Sequence, residues 1–270
     1  MPTIISTVNV NGVRAATGKG MLAWLAATEA DVVCLQETRA TDEQTTKALA
    51  PALADGWWLT HAEPEAKGRA GVGILSRREP DSVRIGLGQS REFGGIERGS
   101  GEFDASGRYL EADFDGVTVA SVYVPSGEVG TPRQDEKYRF MGEFGPYLKS
   151  RTGEFVVCGD WNIAHTELDL KNWRGNMKSA GFLPQERAWI DELLDAGYRD
   201  VVRELHPDEA GPYSWWSYRG RAFDNDAGWR IDYQMARGEI ASRAKQAVVE
   251  RADSYDQRWS DHAPVAVQYR

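Results

Sequence analysis

DVVCLQE at residues 31–37 and EFVVCGD at residues 154–160 are two similar stretches, each an apolar run that ends in a carboxylate. Short apolar runs of this kind are typical of strands that are covered on both faces. Two such halves, each with an acid at the carboxyl end of a strand, predict a two-sheet sandwich with pseudo-twofold symmetry and one site across its top. The alternative is chance similarity, because short Val-rich strands are common.

The rest of the chain alternates between strand and helix patterns, which predicts a layered α/β fold with mixed sheets. Further strands are predicted over 3–10, 57–61, 70–76, 108–114, 117–124, 213–218, 230–236, 245–250 and 263–269, and helices over 20–29, from 41, over 133–150 and over 184–196. No Pro- or Ser-rich linker interrupts this pattern, so a single domain over residues 1–270 is expected. The polar, Gly-rich stretch 86–107 predicts a long surface loop.

The composition is that of a globular protein, with 41% hydrophobic residues, 27% charged residues and a net charge of −9 over 270 residues. No apolar run approaches the ~20 residues of a membrane-spanning helix, which argues against a membrane partner. The first residues lack the basic and apolar regions of a signal peptide, so a cytoplasmic location is expected. Cys34 and Cys158 lie in apolar runs and predict neither a disulfide nor a zinc site. The acidic charge argues only weakly against a nucleic-acid partner, because it does not show where Arg and Lys lie.

Polar residues follow predicted strands at five places: Asn9 and Asn11, Gln36-Glu37, Asp160-Trp161-Asn162, Arg230-Ile231-Asp232, and Ser260-Asp261-His262. One such acid is more often a helix cap or a turn residue, but five clusters in one chain indicate a shared site. Carboxylates and amides at strand ends are what oxygen-ligand metal sites and phosphate chemistry require. The motifs of zinc proteases, redox dithiols, serine hydrolases and P-loop proteins are absent from the sequence.

The motifs NVNGVRA (9–15), LQET (35–38), SVYVP (121–125), GDWNIAH (159–165), GWRIDY (228–233) and SDH (260–262) resemble, in order, those of the exonuclease III family of AP endonucleases. The stretch 169–187 resembles that family too, and the phosphatases and DNase I group of the same superfamily are not expected to share it. The resemblance implies a DNase I-like, four-layered α/β sandwich of two mixed β-sheets flanked by helices. It also implies metal-assisted hydrolysis of DNA 5′ to an abasic site, with 3′→5′ exonuclease or 3′-end processing activity.

By this resemblance, Glu37 is the principal Mg²⁺ ligand, with Asn9 and Asp261 as further ligands or as residues that orient the ligands. Mn²⁺ is the alternative metal. Mg²⁺ prefers carboxylate and water oxygens and keeps several waters, so one dedicated Glu is sufficient as an anchor. Taken alone, Asn9 would be interpreted as a residue that ends a strand.

The resemblance also assigns catalytic roles. Asp160 orients or deprotonates the attacking water, and Asn162 holds that water or a phosphate oxygen. His262 contacts the scissile phosphate and is oriented by Asp232, because an Asp bonded to His favours imidazolium. Tyr123 lies near the phosphate as a hydrogen-bond donor or as a stabiliser of the leaving group. The identity of the general base stays open, and the alternatives are an Asx-rich turn at Asp160 and a core aromatic at Tyr123.

Candidate substrate-binding residues are Arg14 and Arg39, which would lie at the rim and meet phosphates. By the resemblance, Asn172 and Asn176 contact the DNA strand around the flipped sugar, and Trp215, Trp229 and Ile231 line a pocket for the abasic sugar. The alternatives are solvated surface charges and core tryptophans. The partner implied is double-stranded DNA with abasic sites or blocked 3′ ends, bound by a monomer.

Two other functional classes are left open. One is a DNase I-like nuclease or a phosphatase of the same superfamily with another substrate. The other is a non-catalytic DNA-binding relative, which should have lost one of the catalytic residues; Glu37, Asp160, Asp232 and His262 are all present.

Overall fold

The computed structural model describes residues 1–88, 91–93, 96–99 and 101–270. Its strands, numbered in chain order, are β1 Ile4–Asn9, β2 Val32–Gln36, β3 Trp58–Ala62, β4 Val72–Ser76, β5 Ser82–Ile85, β6 Arg91–Phe93, β7 Ile96–Arg98, β8 Tyr109–Phe114, β9 Val117–Tyr123, β10 Glu154–Asp160, β11 Arg199–Asp200, β12 Asp232–Arg237, β13 Ala244–Val249 and β14 Val265–Tyr269.

The helices are α1 Val13–Ala16, α2 Leu22–Ala27, α3 Asp42–Ala48, α4 Ala50–Ala54, α5 Pro132–Ser150, α6 Trp173–Asn176, α7 Pro184–Asp195, α8 Val201–Leu205 and α9 Glu239–Ser242. A π-helical turn at Thr17–Met21 joins α1 to α2. Several helix starts follow directly from the sequence. Thr41 caps α3 in a capping box with Gln44, and Pro132 and Pro184 occupy the first turns of α5 and α7, where a missing N–H costs nothing.

The strands form two mixed sheets. One has the strand order β13-β14-β1-β2-β4-β3, and the other has the order β11-β12-β10-β9-β8-β5-β7-β6. A parallel pair lies at the centre of each sheet: β1 with β2, where Asn9 lies opposite Gln36, and β9 with β10, where Tyr123 lies opposite Asp160. The larger sheet has a second parallel pair, β5 with β7, toward its edge. Because parallel strands end at the same edge, the polar residues that follow each central pair meet at one edge of each sheet.

The two sheets pack face to face over an apolar core to which both contribute, including Ile5 and Cys34 from one sheet and Val119 and Cys158 from the other. A second core joins the outer face of the larger sheet to α5 and α7, and a third joins the outer face of the smaller sheet to the helices that precede β3. The order of layers is therefore helix, sheet, sheet, helix.

The predicted fold class, a four-layered α/β sandwich of two mixed sheets flanked by helices, is confirmed. The two apolar runs are β2 and β10, which lie in different sheets. Within the described ranges, no helix combines the length and the apolar character needed to cross a bilayer.

Two predictions of local structure were wrong. The segment 213–218 is not a strand: only Trp215 forms isolated bridges, to Trp229 and His262, because Tyr213 and Trp216 are buried in a separate small cluster beside the sheets. The stretch 86–107 is not one continuous loop, since β6, β7 and a 3₁₀ turn at Asp104–Ser106 lie within it. Residues 89, 90, 94, 95 and 100 of that stretch lie outside the described residues.

Candidate active site

A pocket of about 420 Å³ lies where the central strands of both sheets end. Glu37 follows β2, Tyr123 and Asp160 end β9 and β10, and Asp261 and His262 precede β14; all five line the pocket. The strand-end residues that the sequence analysis singled out therefore meet in one cavity between the two sheets.

Asn9 connects the two sheets at the base of this pocket. Its Nδ2 atom donates to Oε1 of Glu37 and to Oδ2 of Asp160, each over 2.8 Å, and the Asn9 side chain is fully buried. Its Oδ1 atom accepts a hydrogen bond of 2.9 Å from the backbone N–H of Asn11. Because Asn9 turns its amide nitrogen toward the carboxylates, it fits the role of orienting ligands better than that of a ligand.

The Glu37 carboxylate accepts hydrogen bonds from Asn9 and Arg39. Asn9 binds one oxygen, and the guanidinium of Arg39 binds the other through Nε at 2.7 Å and through a second nitrogen. Arg39 thus lies in the pocket and beside the predicted metal ligand, rather than only at the rim. The arrangement requires an unusual backbone, because Asn11, Glu37, Arg39 and Asn162 all have positive φ, between 47° and 51°. Non-glycine residues in this region are strained, and such strain is concentrated at functional sites.

Asp160 is the most deeply buried carboxylate that lines the pocket, with 1% of its surface exposed. Burial, together with the carboxylates of Asp232 and Glu37, raises the pKa of Asp160 to about 7, against the opposing effect of His262. The backbone N–H of Asn162 donates to Oδ1 of Asp160 over 2.9 Å. The Asn162 side chain donates to the carbonyl oxygen of Val124 over 2.9 Å. Asp160 therefore has a pKa suited to accepting a proton near neutral pH.

His262 is held by a buried hydrogen-bond chain. Its Nδ1 atom lies 2.8 Å from Oδ2 of Asp232, and the Ser214 hydroxyl donates to the same oxygen over 2.6 Å. Its Nε2 atom lies 3.8 Å from Oδ2 of Asp160. Although burial disfavours the charged ring, Asp232 and Asp160 raise the pKa of His262 to about 10. The imidazole is therefore a cation at neutral pH.

Asp261 lines the pocket beside its chain neighbour His262. Asn11 donates to the Oδ1 atom of Asp261 over 2.8 Å, and the indole N–H of Trp215 donates to its Oδ2 atom over 3.0 Å. Although burial acts to raise it, the charge of His262 and these two hydrogen bonds hold the pKa of Asp261 below its usual value. Asp261 is consequently an anion at neutral pH.

Tyr123 lines the pocket together with the carboxylates of Glu37 and Asp160. Burial, followed by the charges of Glu37 and Asp160, raises the pKa of Tyr123 well above its ordinary value. The guanidinium of Arg108 lies over the Tyr123 ring at 5.2 Å. The hydroxyl group therefore stays protonated at neutral pH and can donate a hydrogen bond.

An aromatic wall bounds part of the pocket. Trp215 and Trp229 pack edge to face with ring centroids 6.2 Å apart, and Ile231 lies beside them. Both tryptophans are half-buried, so each presents part of its ring to the cavity. The wall, together with Ala180 and Gly181, makes this part of the pocket small and apolar.

The sequence profile of the endonuclease/exonuclease/phosphatase family matches residues 6–262. The chain belongs to that family. It is 36% identical over 260 residues to an exodeoxyribonuclease of Bacillus subtilis, covering 95% of each chain. An AP endonuclease from Archaeoglobus fulgidus has the same fold, with a TM-score of 0.87, 26% identity and 99% of each chain covered. A Neisseria 3′ phosphatase, solved with a product DNA hairpin, gives a TM-score of 0.84 at 28% identity, again with 99% of each chain covered.

These relatives confirm the resemblance to the exonuclease III type of AP endonuclease, and they make the protein an enzyme of a hydrolase family.

The donor set of this family member fits a hard divalent cation. Glu37 and Asp261 bring carboxylate oxygens to the pocket, and oxygen ligands are those that Mg²⁺ prefers. Asp160, Asp232 and His262 form a second group of candidate ligands, with ligand atoms within 4.8 Å of one another. The buried Oδ1 atom of Asp232 has no hydrogen-bond partner among the described residues. The raised pKa of His262 opposes ligation by its ring, so the Glu37 end is the better match.

The enzyme's rim residues are less closely tied to the cavity. Arg39 lines the pocket within the described ranges, whereas Arg14, Asn172 and Asn176 do not. Arg14 is exposed and lies 3.5 Å from the carbonyl oxygen of Arg39. Asn176, the last residue of α6, donates to the carbonyl oxygen of Asn172 over 3.0 Å. Their contact with DNA stays a prediction.

Two features of the enzyme's site were missed by sequence reasoning. Ser214, which orients Asp232, lies in the segment predicted as a strand, and nothing in the sequence marks it. Arg230 in the motif GWRIDY is fully buried and binds the carboxylates of Asp169 and Asp200 at 2.7 Å each. Although burial acts the other way, Arg230 and Arg203 hold the pKa of Asp169 below its usual range. The backbone around Asp232 is thus fixed by a charge network. The sequence analysis named Arg230 as part of a polar cluster and did not predict this role.

Proposed function

We propose that this enzyme is a Mg²⁺-dependent AP endonuclease of base-excision repair that hydrolyses the phosphodiester on the 5′ side of an abasic site. The same site would also process blocked 3′ ends or remove 3′ nucleotides. The observation that supports this most directly is the position of an acidic and imidazolium cluster beside a small aromatic pocket.

The metal would be held by Glu37, with Asn9 fixing the carboxylate and Asp261 contributing a second anion to the cavity. When bound, Mg²⁺ supplies positive charge to a phosphate that becomes more negative in the transition state. Mn²⁺ offers the same oxygen-ligand chemistry and is the alternative metal.

The side chains of the pocket would supply the other catalytic groups. Asp160, whose pKa is about 7, accepts the proton of the attacking water, and Asn162 holds that carboxylate in place. His262, a cation at neutral pH, donates a hydrogen bond to a phosphate oxygen while Asp232 fixes its ring. Tyr123 stays protonated and donates to the leaving 3′ oxygen. General-base catalysis of this kind contributes typically ~10²–10⁴-fold in rate.

The aromatic pocket supports selection by size. A deoxyribose without a base fits between Trp215, Trp229 and Ile231, whereas a nucleotide with its base is too large to enter. An abasic nucleotide also leaves the helix at the lowest cost, because no base stacking is lost. The proposed substrate is therefore double-stranded DNA with an abasic site. We further propose that the enzyme acts as a monomer in the cytoplasm.

An incision assay with three substrates tests this proposal. Duplex DNA with one abasic analogue, the same duplex undamaged, and a soluble phosphoinositide are each incubated with Mg²⁺ and with EDTA. The proposal expects Mg²⁺-dependent incision 5′ to the abasic position, and much slower cleavage of the other two. Preference for the phosphoinositide would support the phosphatase alternative. Equal cleavage of both duplexes would support a DNase I-like nuclease, and binding without cleavage would support the non-catalytic relative.

A further inference from the structure

Lys137 and Glu186 form an ion pair outside the catalytic pocket, with Nζ and Oε1 only 2.6 Å apart. Both side chains are fully buried. Lys137 lies in α5 and Glu186 in the first turn of α7, so the pair joins two helices on the outer face of the larger sheet.

Each partner also binds the backbone of loops that line the pocket. The ammonium of Lys137 donates to the carbonyl oxygen of Asn162 over 2.9 Å and to that of Ser126 over 3.4 Å. The second oxygen of Glu186 accepts from the backbone N–H of Gly181 over 2.7 Å and from that of Leu183 over 3.0 Å. Ser126, Asn162 and Gly181 all line the catalytic pocket. Three separate loops of the site are therefore attached to one buried pair.

The loop at Asn162 depends on this attachment more than the others. Asn162 has a φ of 51°, which is strained for a non-glycine residue, and its own carbonyl oxygen is the one that Lys137 binds. Gly181 packs against the same carbonyl so closely that a Cβ at this position would lie 2.9 Å from the oxygen. With its backbone fixed in this way, Asn162 directs both its backbone and side-chain N–H groups toward Asp160.

Packing alone does not explain the pair. A buried salt bridge is often no more stabilising than apolar residues of the same volume, because both ions lose their hydration. Apolar residues would, however, leave the carbonyls of Asn162 and Ser126 and the N–H of Gly181 without these partners. Fixed loop geometry is what the charged pair provides and an apolar pair would not.

We propose that Lys137 and Glu186 are positioning residues for the catalytic step, which act through Asn162 on Asp160 without touching the substrate. The proposal rests on the proposed function for the identity of the step. It predicts that loosening the pair lowers kcat while leaving the KM for DNA nearly unchanged, because the pair orients the reacting groups and does not bind DNA.

The test compares two buried carboxylates that both contact α5. Glu186→Gln removes the charge that binds Lys137. The control is Glu111→Gln, whose carboxylate is also buried and binds Arg151 over 3.0 Å and Tyr147 over 2.9 Å, near the far end of α5 and away from the pocket. Melting temperature, kcat and KM are measured for both variants well below the lower melting temperature.

Both variants should lose stability, but only Glu186→Gln should lose at least ~10-fold in kcat, since small displacements of reacting groups cost up to ~10²-fold. Equal losses of stability with kcat unchanged in both would overturn the proposal. Should Glu186→Gln not fold, Glu186→Asp keeps the charge and shortens the reach by one methylene; the same split between kcat and KM is then expected, and a normal kcat would overturn the proposal. The ratio of variant to wild type is taken on whichever phosphate substrate the wild type cleaves. A failure of the abasic-site proposal therefore leaves this comparison intact.

Discussion

The Nδ1 atom of His262 lies 2.8 Å from the Oδ2 atom of Asp232, and the Oδ1 atom of that carboxylate has no hydrogen-bond partner within the described ranges. The imidazole is thereby committed to one orientation, with its Nε2 atom facing Asp160. The pairing explains why a buried ring is charged at neutral pH.

The pKa of His262 should be about 10 in the metal-free protein, because Asp232 and Asp160 outweigh the effect of burial. The pKa of His262 in the folded protein is raised above the ordinary 6.5, so its ion pairs contribute to the stability of the fold. That contribution is fully present below pH 6.5 and is lost as the pH rises through 10. Asp232→Asn should lower the pKa of His262, since the main charge partner is gone. NMR titration of the ring in EDTA measures both values, and a wild-type midpoint near 6.5 would contradict the assignment.

Glu37→Ala should raise the Mg²⁺ concentration needed for half-maximal incision by at least ~10-fold, because the anchoring carboxylate is lost. Activity is measured across a Mg²⁺ series on the abasic duplex. Glu111→Gln is the matched control, since that carboxylate is buried away from the pocket. An unchanged Mg²⁺ dependence would refute the role of Glu37.

Asp160→Asn keeps the shape of the side chain and removes its charge. We expect a loss of at least ~10²-fold in kcat, the scale of general-base catalysis, with the affinity for abasic duplex retained. Single-turnover rates and binding in EDTA are measured on the same preparation. Turnover near that of the wild type would rule out Asp160 as the proton acceptor.

Trp229→Ala should reduce incision at abasic sites more than cleavage of intact DNA, because it opens the pocket that excludes a base. The ratio of the two rates is the observable, since a folding defect lowers both rates together. If Trp229 is only a packing residue, the melting temperature falls and the ratio stays the same.

Lys19, Lys171 and Lys178 are exposed, and no salt bridge of theirs is found among the residues that the structure describes. Together with Arg14 and Arg39, they are predicted to give an acidic protein a basic face for DNA. Changing the three lysines to Gln should make the plot of log affinity for duplex DNA against log salt concentration less steep. The slope should fall in magnitude by about 0.9 for each phosphate that is no longer neutralised. Lys245→Gln is the control and should leave the slope unchanged, because Lys245 lies at the end of the smaller sheet that is farther from the pocket. Equal slopes for all proteins would contradict the predicted face.

The sequence was sufficient for the architecture and for most of the polar side chains that meet in the pocket between the sheets. The apolar runs before Glu37 and Asp160 predicted the central strands, and the five polar clusters predicted which side chains converge. Two clusters were placed wrongly relative to the strands, because Asp232 begins β12 and Asp261-His262 precede β14 rather than follow a strand. The sequence was not sufficient for orientation. Nothing local shows that Asn9 turns its nitrogen toward the two carboxylates, because that depends on Asp160, 151 positions away.

Buried charge was the other limit. Lys137 and Glu186 occupy positions in helices where a charged residue is normally solvated, so a pattern of residue types indicates surface for both. Their pairing becomes visible only when α5 and α7 are packed on one sheet. The prediction of a strand over 213–218 was wrong for a related reason. Its aromatic residues suit a strand, but Tyr213 and Trp216 are buried in a cluster beside the sheets.

The backbone strain at Asn11, Glu37, Arg39 and Asn162 has an evolutionary consequence. Each left-handed residue costs on the order of 1 kcal/mol, which glycine would relieve. Selection for heat resistance alone would therefore favour glycine at these positions, and each replacement would delete a polar group of the site. Variants selected only for a stable fold should therefore become more stable and lose catalytic activity, with substitutions to glycine first at these four positions.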